Sequence, residues 1–384
     1  MNILFCTTYR VSEQKGGTER ITARIAQALR EKGHLCFSAY KAEIAEGLPL
    51  AKWDGELNAT NQSLEDYILD NHIDVIIIQK MTREVKQFYL IREKYHLQLK
   101  IFSALHFAPA YEEIEVSFRH AWDSLKTKCN LKNGLRFLLF PIYKVWYPLR
   151  NKELYRTVYK YSDKVILLSE RFVQEYMDYA GISNNEKFIA IPNALSYDEF
   201  LPIENIQNKK KQALVVSRLA DPQKRIYLAI QAWAEIEKDP ELKEWTFKIV
   251  GSGPAENSYK ALTQKLGIKR IEFCGRQQPK SYYEVSSLFL MTSSYEGWGL
   301  TLTEAQQFGC VPIAFDSYSS IHDIITNGEN GFLIENNNIQ LFTETLKFLM
   351  KEDNARNRMA KDAIASSHRL ELNNIINNWV KIIE

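Results

Sequence analysis

The sequence contains no uncharged apolar run of 18 residues, so no segment has the composition of a membrane-spanning helix. It opens on a strand pattern, Met-Asn-Ile-Leu-Phe-Cys, with no sign of a basic leader and long apolar core. An excess of one charge is missing as well. Forty-nine basic against 47 acidic residues leave a net charge of +2, which argues against a nucleic-acid-binding chain as a whole. Cysteine is sparse and odd in number. Cys6, Cys36, Cys129, Cys274 and Cys310 are scattered, four of them in or beside apolar runs. That is the setting of buried free thiols, not of a disulfide framework or metal cluster. Together these absences predict a cytoplasmic protein. No Asp-x-Asp occurs, so nothing marks a metal-chelated diphosphate and no cofactor is expected.

What the chain does have is length and rhythm. At 384 residues it exceeds one comfortable core, which predicts two domains. Residues 3–6 read as a short buried strand, followed by a loop ending in Gly16-Gly17. Ile21, Ile25 and Leu29 then mark one face of a helix closed by Gly33, and 35–40 is the next strand. Strand, glycine loop, helix, strand is the unit of a doubly wound parallel α/β sheet. Near-continuous apolar runs at 73–78 and 99–105 are further parallel strands, the second ending beside His106. Ligands bind at such carboxyl ends, although a lone histidine there is more often structural. The lysine-rich stretch 204–212 reads as a solvated linker.

The rhythm resumes with 213–219, a strand ending in Arg218, and a turn that presents Lys224 at the head of a helix. Two such cations can hold a pyrophosphate; taken alone they are ordinary turn residues. Gly251-Ser252-Gly253 follows another strand, but a lone G-x-G is weak evidence for a dinucleotide site. Residues 288–316 carry the most information. The run 288–291 reads as a buried strand, 293–299 as a loop with Gly297 and Gly299, 300–308 as a helix and 311–315 as a strand. A helix start after a glycine loop offers N–H groups to an anion. Glu296 and Glu304 flank it, with seven residues between them, and carboxylates accept from hydroxyls. An anion site with two carboxylates fits a ligand joining phosphate to polyol, such as a sugar nucleotide. Thr301 with Glu304 also matches a capping box, and both readings stand on the residues alone.

The run from Glu296 through Ile313 (E-G-W-G-L-T-L-T-E-A-Q-Q-F-G-C-V-P-I) closely resembles the signature of family 4 retaining glycosyltransferases, of the bacterial polysaccharide and lipopolysaccharide type. The resemblance continues through 327–334, Asn-Gly-Glu-Asn-Gly-Phe-Leu-Ile. It implies the GT-B fold: two Rossmann-like doubly wound domains facing a central cleft. The expected division is 1–200 on the acceptor side, 201–368 for the nucleotide sugar, and 369–384 as a helix returning to the first domain. The implied reaction moves a hexose from a UDP-linked donor to a glycan or lipid-linked glycan, without a metal. On the resemblance, Arg218, Lys224, Glu296 and His106 serve the reaction. Glu304, Gly297, Trp298, Gly299 and Leu300 hold the nucleotide sugar, with Gly16, Gly17, Gly275 and Arg276. Lys224 stands six residues after Arg218, one more than is common in the family, and Arg225 replaces a usual glycine. A non-hydrolysing sugar-nucleotide epimerase and a catalytically silent sugar-nucleotide- or glycan-binding subunit are the alternatives.

One segment breaks the pattern. Over 124–160, Lys126, Lys128, Lys132, Arg136, Lys144, Arg150, Lys152, Arg156 and Lys160 are opposed only by Glu153. Leu135, Leu138, Leu139, Ile142, Trp146 and Leu149 share one helical face, with Pro141 and Pro148 expected to kink or divide it. Two readings remain: a segment lying on the anionic inner leaflet of the cell membrane, or a helical excursion packed on the first domain.

Overall fold

The computed structural model describes residues 1–384 except 14–15, 45–46, 115 and 117–130, and leaves out the side chains of Ile114, Leu131, Lys132 and Arg136. Cys129 and the basic residues Lys126 and Lys128 therefore lie outside the described residues. Contacts divide the chain into two units, Met1–Pro192 with Ile375–Glu384, and Asn193–Asn374. Among the described residues no helix is long and apolar enough to cross a membrane.

In the first unit the described strands are β1 (Asn2–Tyr9), β2 (Leu35–Ala42), β3 (Gly55–Asn58), β4 (Val75–Ile78), β5 (Lys100–Ala104), β6 (Lys164–Leu167) and β7 (Phe188–Ala190). They pair in parallel in the order β3-β2-β1-β4-β5-β6-β7. All four residues of β4 are fully buried, as a strand covered on both faces requires. Burying each such isoleucine or valine contributes about 1.5–3 kcal/mol. The helix Gly17–Glu31 turns Ile21, Ile25 and Leu29 inward, the face its spacing marks. The helix Leu372–Ile383 buries Ile375, Ile376, Trp379 and Ile383, and Lys100 Nζ donates to the Ile383 carbonyl at 2.6 Å.

The segment that broke the rhythm forms helices Leu131–Leu138 and Phe140–Tyr161, so Pro141 starts a helix and Pro148 sits inside one. Phe140, Asn151, Tyr155 and Val158 pack inward, which gives the packed reading half of the helix. The opposite face is exposed.

The second unit has β8 (Lys210–Val216), β9 (Thr246–Val250), β10 (Ile271–Gly275), β11 (Ser286–Met291), β12 (Val311–Asp316) and β13 (Phe332–Glu335), all parallel, in the order β10-β9-β8-β11-β12-β13. Strand order reverses between β8 and β11. In doubly wound sheets the crevice at that reversal, outside the carboxyl ends, is where ligands bind. The stretch 204–212 is largely exposed, as its composition suggests, but it lies inside the second unit and is structured, not a linker between units. It holds a 3-10 helix, Ile203–Asn208, and the start of β8. Lys209 Nζ donates to Tyr283 O at 2.8 Å and Ser286 O at 2.5 Å, carbonyls that its reach brings under cover.

Candidate functional site

The second unit gathers Arg218, Lys224, Glu296 and Glu304 on the loops and helix that follow β8 and β11, at the reversal of strand order. The loop after β8 is held by the glycine turn after β9. Gly251 N–H donates to Gly275 O at 2.7 Å, Ser217 N–H to Val250 O at 3.0 Å, and Leu219 N–H to Ser252 O at 3.0 Å. A Cβ on Gly251 would stand 1.8 Å from Ser217 O, and one on Gly253 2.3 Å from Leu219 O. The two glycines thus let backbone lie against backbone on both sides of Arg218. Arg218 itself is exposed, its Nη2 donating to Gln223 Oε1 at 3.3 Å.

Arg225 occupies a left-handed conformation, φ +47°, as the residue before the helix Ile226–Glu237. That is why glycine is the easy choice here. The arginine is held there by its side chain, which is buried. Nε donates to Thr292 O at 2.9 Å and Nη2 to Ser293 O at 2.9 Å, while Asn336 and Asn337 accept from Nη2 and Nη1 at 2.9 and 2.7 Å. The guanidinium therefore ties the turn bearing Lys224 to the loop after β11 and the one after β13. The sequence showed the replacement of glycine but not this tie, because Asn336 and Asn337 lie more than a hundred residues away.

After β11, Glu296 is buried beside Lys224, and the two form an ion pair. Ser293 Oγ donates to the same Glu296 oxygen at 2.7 Å. The Trp298 side chain is buried, so this residue presents backbone. Gly299, at φ +88°, precedes the helix Leu300–Gln307, whose first hydrogen bonds run from the amides of Leu302 and Thr303 to Gly299 O. The Leu300 and Thr301 amides stand ahead of that ladder. Thr301 lies inside the helix and is not its cap, which removes the capping-box reading.

Glu304 is only 1% exposed. Ser196 Oγ donates to its Oε1 at 2.5 Å and Tyr283 Oη to its Oε2 at 2.8 Å. Burial, with the carboxylate adding to it, holds the Tyr283 hydroxyl protonated, its pKa far above the usual range. Neither Ser196 nor Tyr283 has a sequence signal linking it to Glu304. At the carboxyl end of β10, Gly275 takes φ +66° and Arg276 is exposed. Among the described residues no cluster of three or more His, Cys, Asp or Glu side chains is placed to hold a metal ion.

Gly16, Gly17 and His106 belong to the first unit. Gly16 precedes the helix Gly17–Glu31 in extended backbone, so no left-handed turn requires a glycine there. Glu19, one turn on, is buried and accepts from Lys80 Nζ at 3.1 Å. His106 lines a cavity of about 280 Å³ with Lys80, Glu112 and Tyr155. Its Nε2–H donates to Gln79 Oε1, and its Nδ1 has no partner among the described residues. Desolvation, reinforced by the Lys80 charge, pushes its pKa from 6.5 down to about 3. The folded chain therefore carries a neutral His106, while the unfolded chain takes up a proton below pH 6.5. Stability tied to this group is full above that pH and is lost as pH falls toward 3. Between pH 7 and pH 5 the thermal midpoint of the wild type should fall more steeply than that of His106→Gln, measured by calorimetry in matched buffers.

Residues 196–366 match the family model described as glycosyl transferases group 1. A Haemophilus influenzae protein described as an uncharacterized glycosyltransferase is 27% identical over 377 residues, covering 96% of each chain. A Campylobacter jejuni enzyme, an α-1,4-N-acetyl-D-galactosaminyltransferase named for a glycan on diphospho-undecaprenol, is 23% identical, covering 96% of this chain and 95% of its own. Among solved structures, Anabaena HepE in complex with UDP and glucose superposes with a TM-score of 0.72 at 17% identity, over 100% of this chain and 99% of that one. This last likeness establishes the fold.

Proposed function

We propose that this chain, a group 1 glycosyltransferase over residues 196–366 with the GT-B fold, moves a hexose from UDP to a glycan or lipid-linked glycan with retention at the anomeric carbon. The observation that carries the reading is the Lys224–Glu296 ion pair at the strand reversal, with Arg218 one hydrogen bond away through Gln223. Ser293 Oγ also holds the Glu296 carboxylate, and each charge of the pair suits one half of a sugar nucleotide. An arriving diphosphate draws Lys224 to itself and frees Glu296 for the sugar hydroxyls. Arg218 adds its planar fork, and the amides from Gly297 to Leu300 face the phosphate oxygens.

The bond between the anomeric carbon and the β-phosphate oxygen breaks, leaving negative charge on the diphosphate. Donors already aimed at that oxygen stabilise the transition state more than the ground state. The acceptor hydroxyl then adds on the face the leaving group vacates, and its proton passes to the departing phosphate. The two cations supply the neutralisation for which other transferases use a metal. Glu304 takes the ribose. The name of the Campylobacter relative favours a lipid-linked acceptor.

Calorimetric titration with UDP tests the assignment. Arg218→Ala, Lys224→Ala and Glu304→Gln should each lose about 1.5–3 kcal/mol of UDP affinity, the worth of a charge-assisted hydrogen bond. Glutamine is chosen at 304 to spare the packing around Ser196 and Tyr283. Glu296→Ala should bind UDP like the wild type yet turn over poorly, and turnover should survive excess EDTA. Wild-type UDP affinity in both Lys224→Ala and Glu304→Gln would overturn the reading, and magnesium-reversible loss in EDTA would overturn its metal-free part.

A further inference from the structure

The helix Phe140–Tyr161 has two faces, and the donor reading uses neither. Its inner face, with Leu154, Tyr155 and Val158, lines the cavity that holds His106. On the outer face Ile142, Val145 and Leu149 are 63–68% exposed and Trp146 48%, while Leu135 and Leu138 on the preceding helix and Leu139 between the two are 48–74% exposed. Within this helix 142, 145, 146 and 149 are spaced by threes and fours, so these side chains form one stripe over about two turns, and 135 and 138 extend it on the preceding helix. A water-exposed surface rarely leaves so long an apolar row bare.

The border of the stripe is cationic. The Arg150 guanidinium lies 5.1 Å from the centre of the Trp146 ring. Arg150 also lines a groove of about 220 Å³ with Arg83 and Tyr147. Lys144 precedes it on the helix and Lys152 and Lys160 follow, while Arg156 donates from Nε to Ala180 O at 2.6 Å and faces Glu153, the one acid of the helix, which also lines that groove. An apolar stripe bordered by aromatic rings and cations suits a surface whose interior is hydrocarbon and whose edge is phosphate. A second copy of the chain would bring the same positive charge to the contact.

We propose that this face docks the first unit on an anionic lipid bilayer, with the stripe at the acyl boundary and Arg83 and Arg150 at lipid phosphates. The cavity beside His106 then sits one helix diameter, about 10 Å, from the membrane surface. The inference rests on the stripe and its border, not on the donor site, so it can fail while the UDP titration succeeds.

Flotation of the full chain with vesicles tests it. Recovery should be high on phosphatidylglycerol–phosphatidylcholine vesicles, low on phosphatidylcholine alone, and should fall as salt is raised. Ile142→Ser with Leu149→Ser should abolish it. Arg83→Gln with Arg150→Gln should reduce partition by about fivefold for each cation removed. UDP titration of both variants should match the wild type, which separates lost docking from lost folding. Equal recovery on neutral vesicles, or none on either, overturns the proposal. So does a wild-type dimer in light scattering that Ile142→Ser with Leu149→Ser converts to a monomer, since that assigns the stripe to a second copy.

Discussion

Gly251→Ala should cost the second unit about 4 kcal/mol or more of stability, a value reached only by named backbone or core defects. Two effects coincide. The residue sits at φ +139°, where an L side chain is strained, and its new Cβ would lie 1.8 Å from Ser217 O. Neither backbone can yield alone, because Ser217 N–H and Leu219 N–H are both bonded to the strand-and-turn segment that contains Gly251. A shift large enough to relieve the clash moves Arg218, so UDP affinity should fall as well. Gly267→Ala is the control. It shares a left-handed φ, +68°, but nothing lies within 4 Å of its Cβ, so only the strain of about 1 kcal/mol remains. Urea unfolding followed by tryptophan fluorescence compares them, and a Gly251→Ala midpoint equal to that of Gly267→Ala would refute the close-packing account.

Arg225→Ala is the second large effect, expected at about 3–5 kcal/mol, the cost of leaving buried polar groups without their charged partner. Thr292 O and Ser293 O would lose their donors, and the loop after β11 would lose its tie to the Lys224 turn. Arg225→Gly removes the same bonds but relieves the left-handed backbone at φ +47°. It should therefore be about 1 kcal/mol more stable than Arg225→Ala. Turnover should fall in both variants even where UDP still binds, because Glu296 and Lys224 are no longer held together. If the two variants unfold at the wild-type midpoint, the guanidinium is not a structural tie.

The parallel core was legible because its strands are nearly unbroken apolar runs. Residues 73–78 and 288–291 could hardly lie elsewhere than between two covered faces. β3 left no such mark. Gly-Glu-Leu-Asn is four residues with one apolar side chain, and at the sheet edge only Leu57 needs cover. Arg218, Lys224, Glu296 and Glu304 were singled out by local spacing together with the family resemblance, and the structure brings all four to the loops and helix after β8 and β11. What spacing does not carry is the partner of a buried group. Ser196 and Tyr283 on Glu304, Gln79 on His106, and Asn336 and Asn337 on Arg225 are joined by the fold across distant sequence. Of the lysines in 204–212, Lys210 and Lys211 are exposed and only Lys209 departs from the expectation. Composition suggested solvent, yet Lys209 is long enough to take its ammonium to the carbonyls of Tyr283 and Ser286.

The first unit is closed by residues 375–384, which sit nearly two hundred positions beyond Pro192. A ribosome making this chain therefore finishes the second unit's sequence before it releases the piece that completes the first. Until then the seat for Ile375, Ile376, Trp379 and Ile383 stays open, and Lys100 waits for the Ile383 carbonyl. Units that fold in order of synthesis usually do so from contiguous sequence. Here the earlier-made unit is the last to be complete, and a nascent chain carries an unfilled apolar seat for the whole time its second half is being translated.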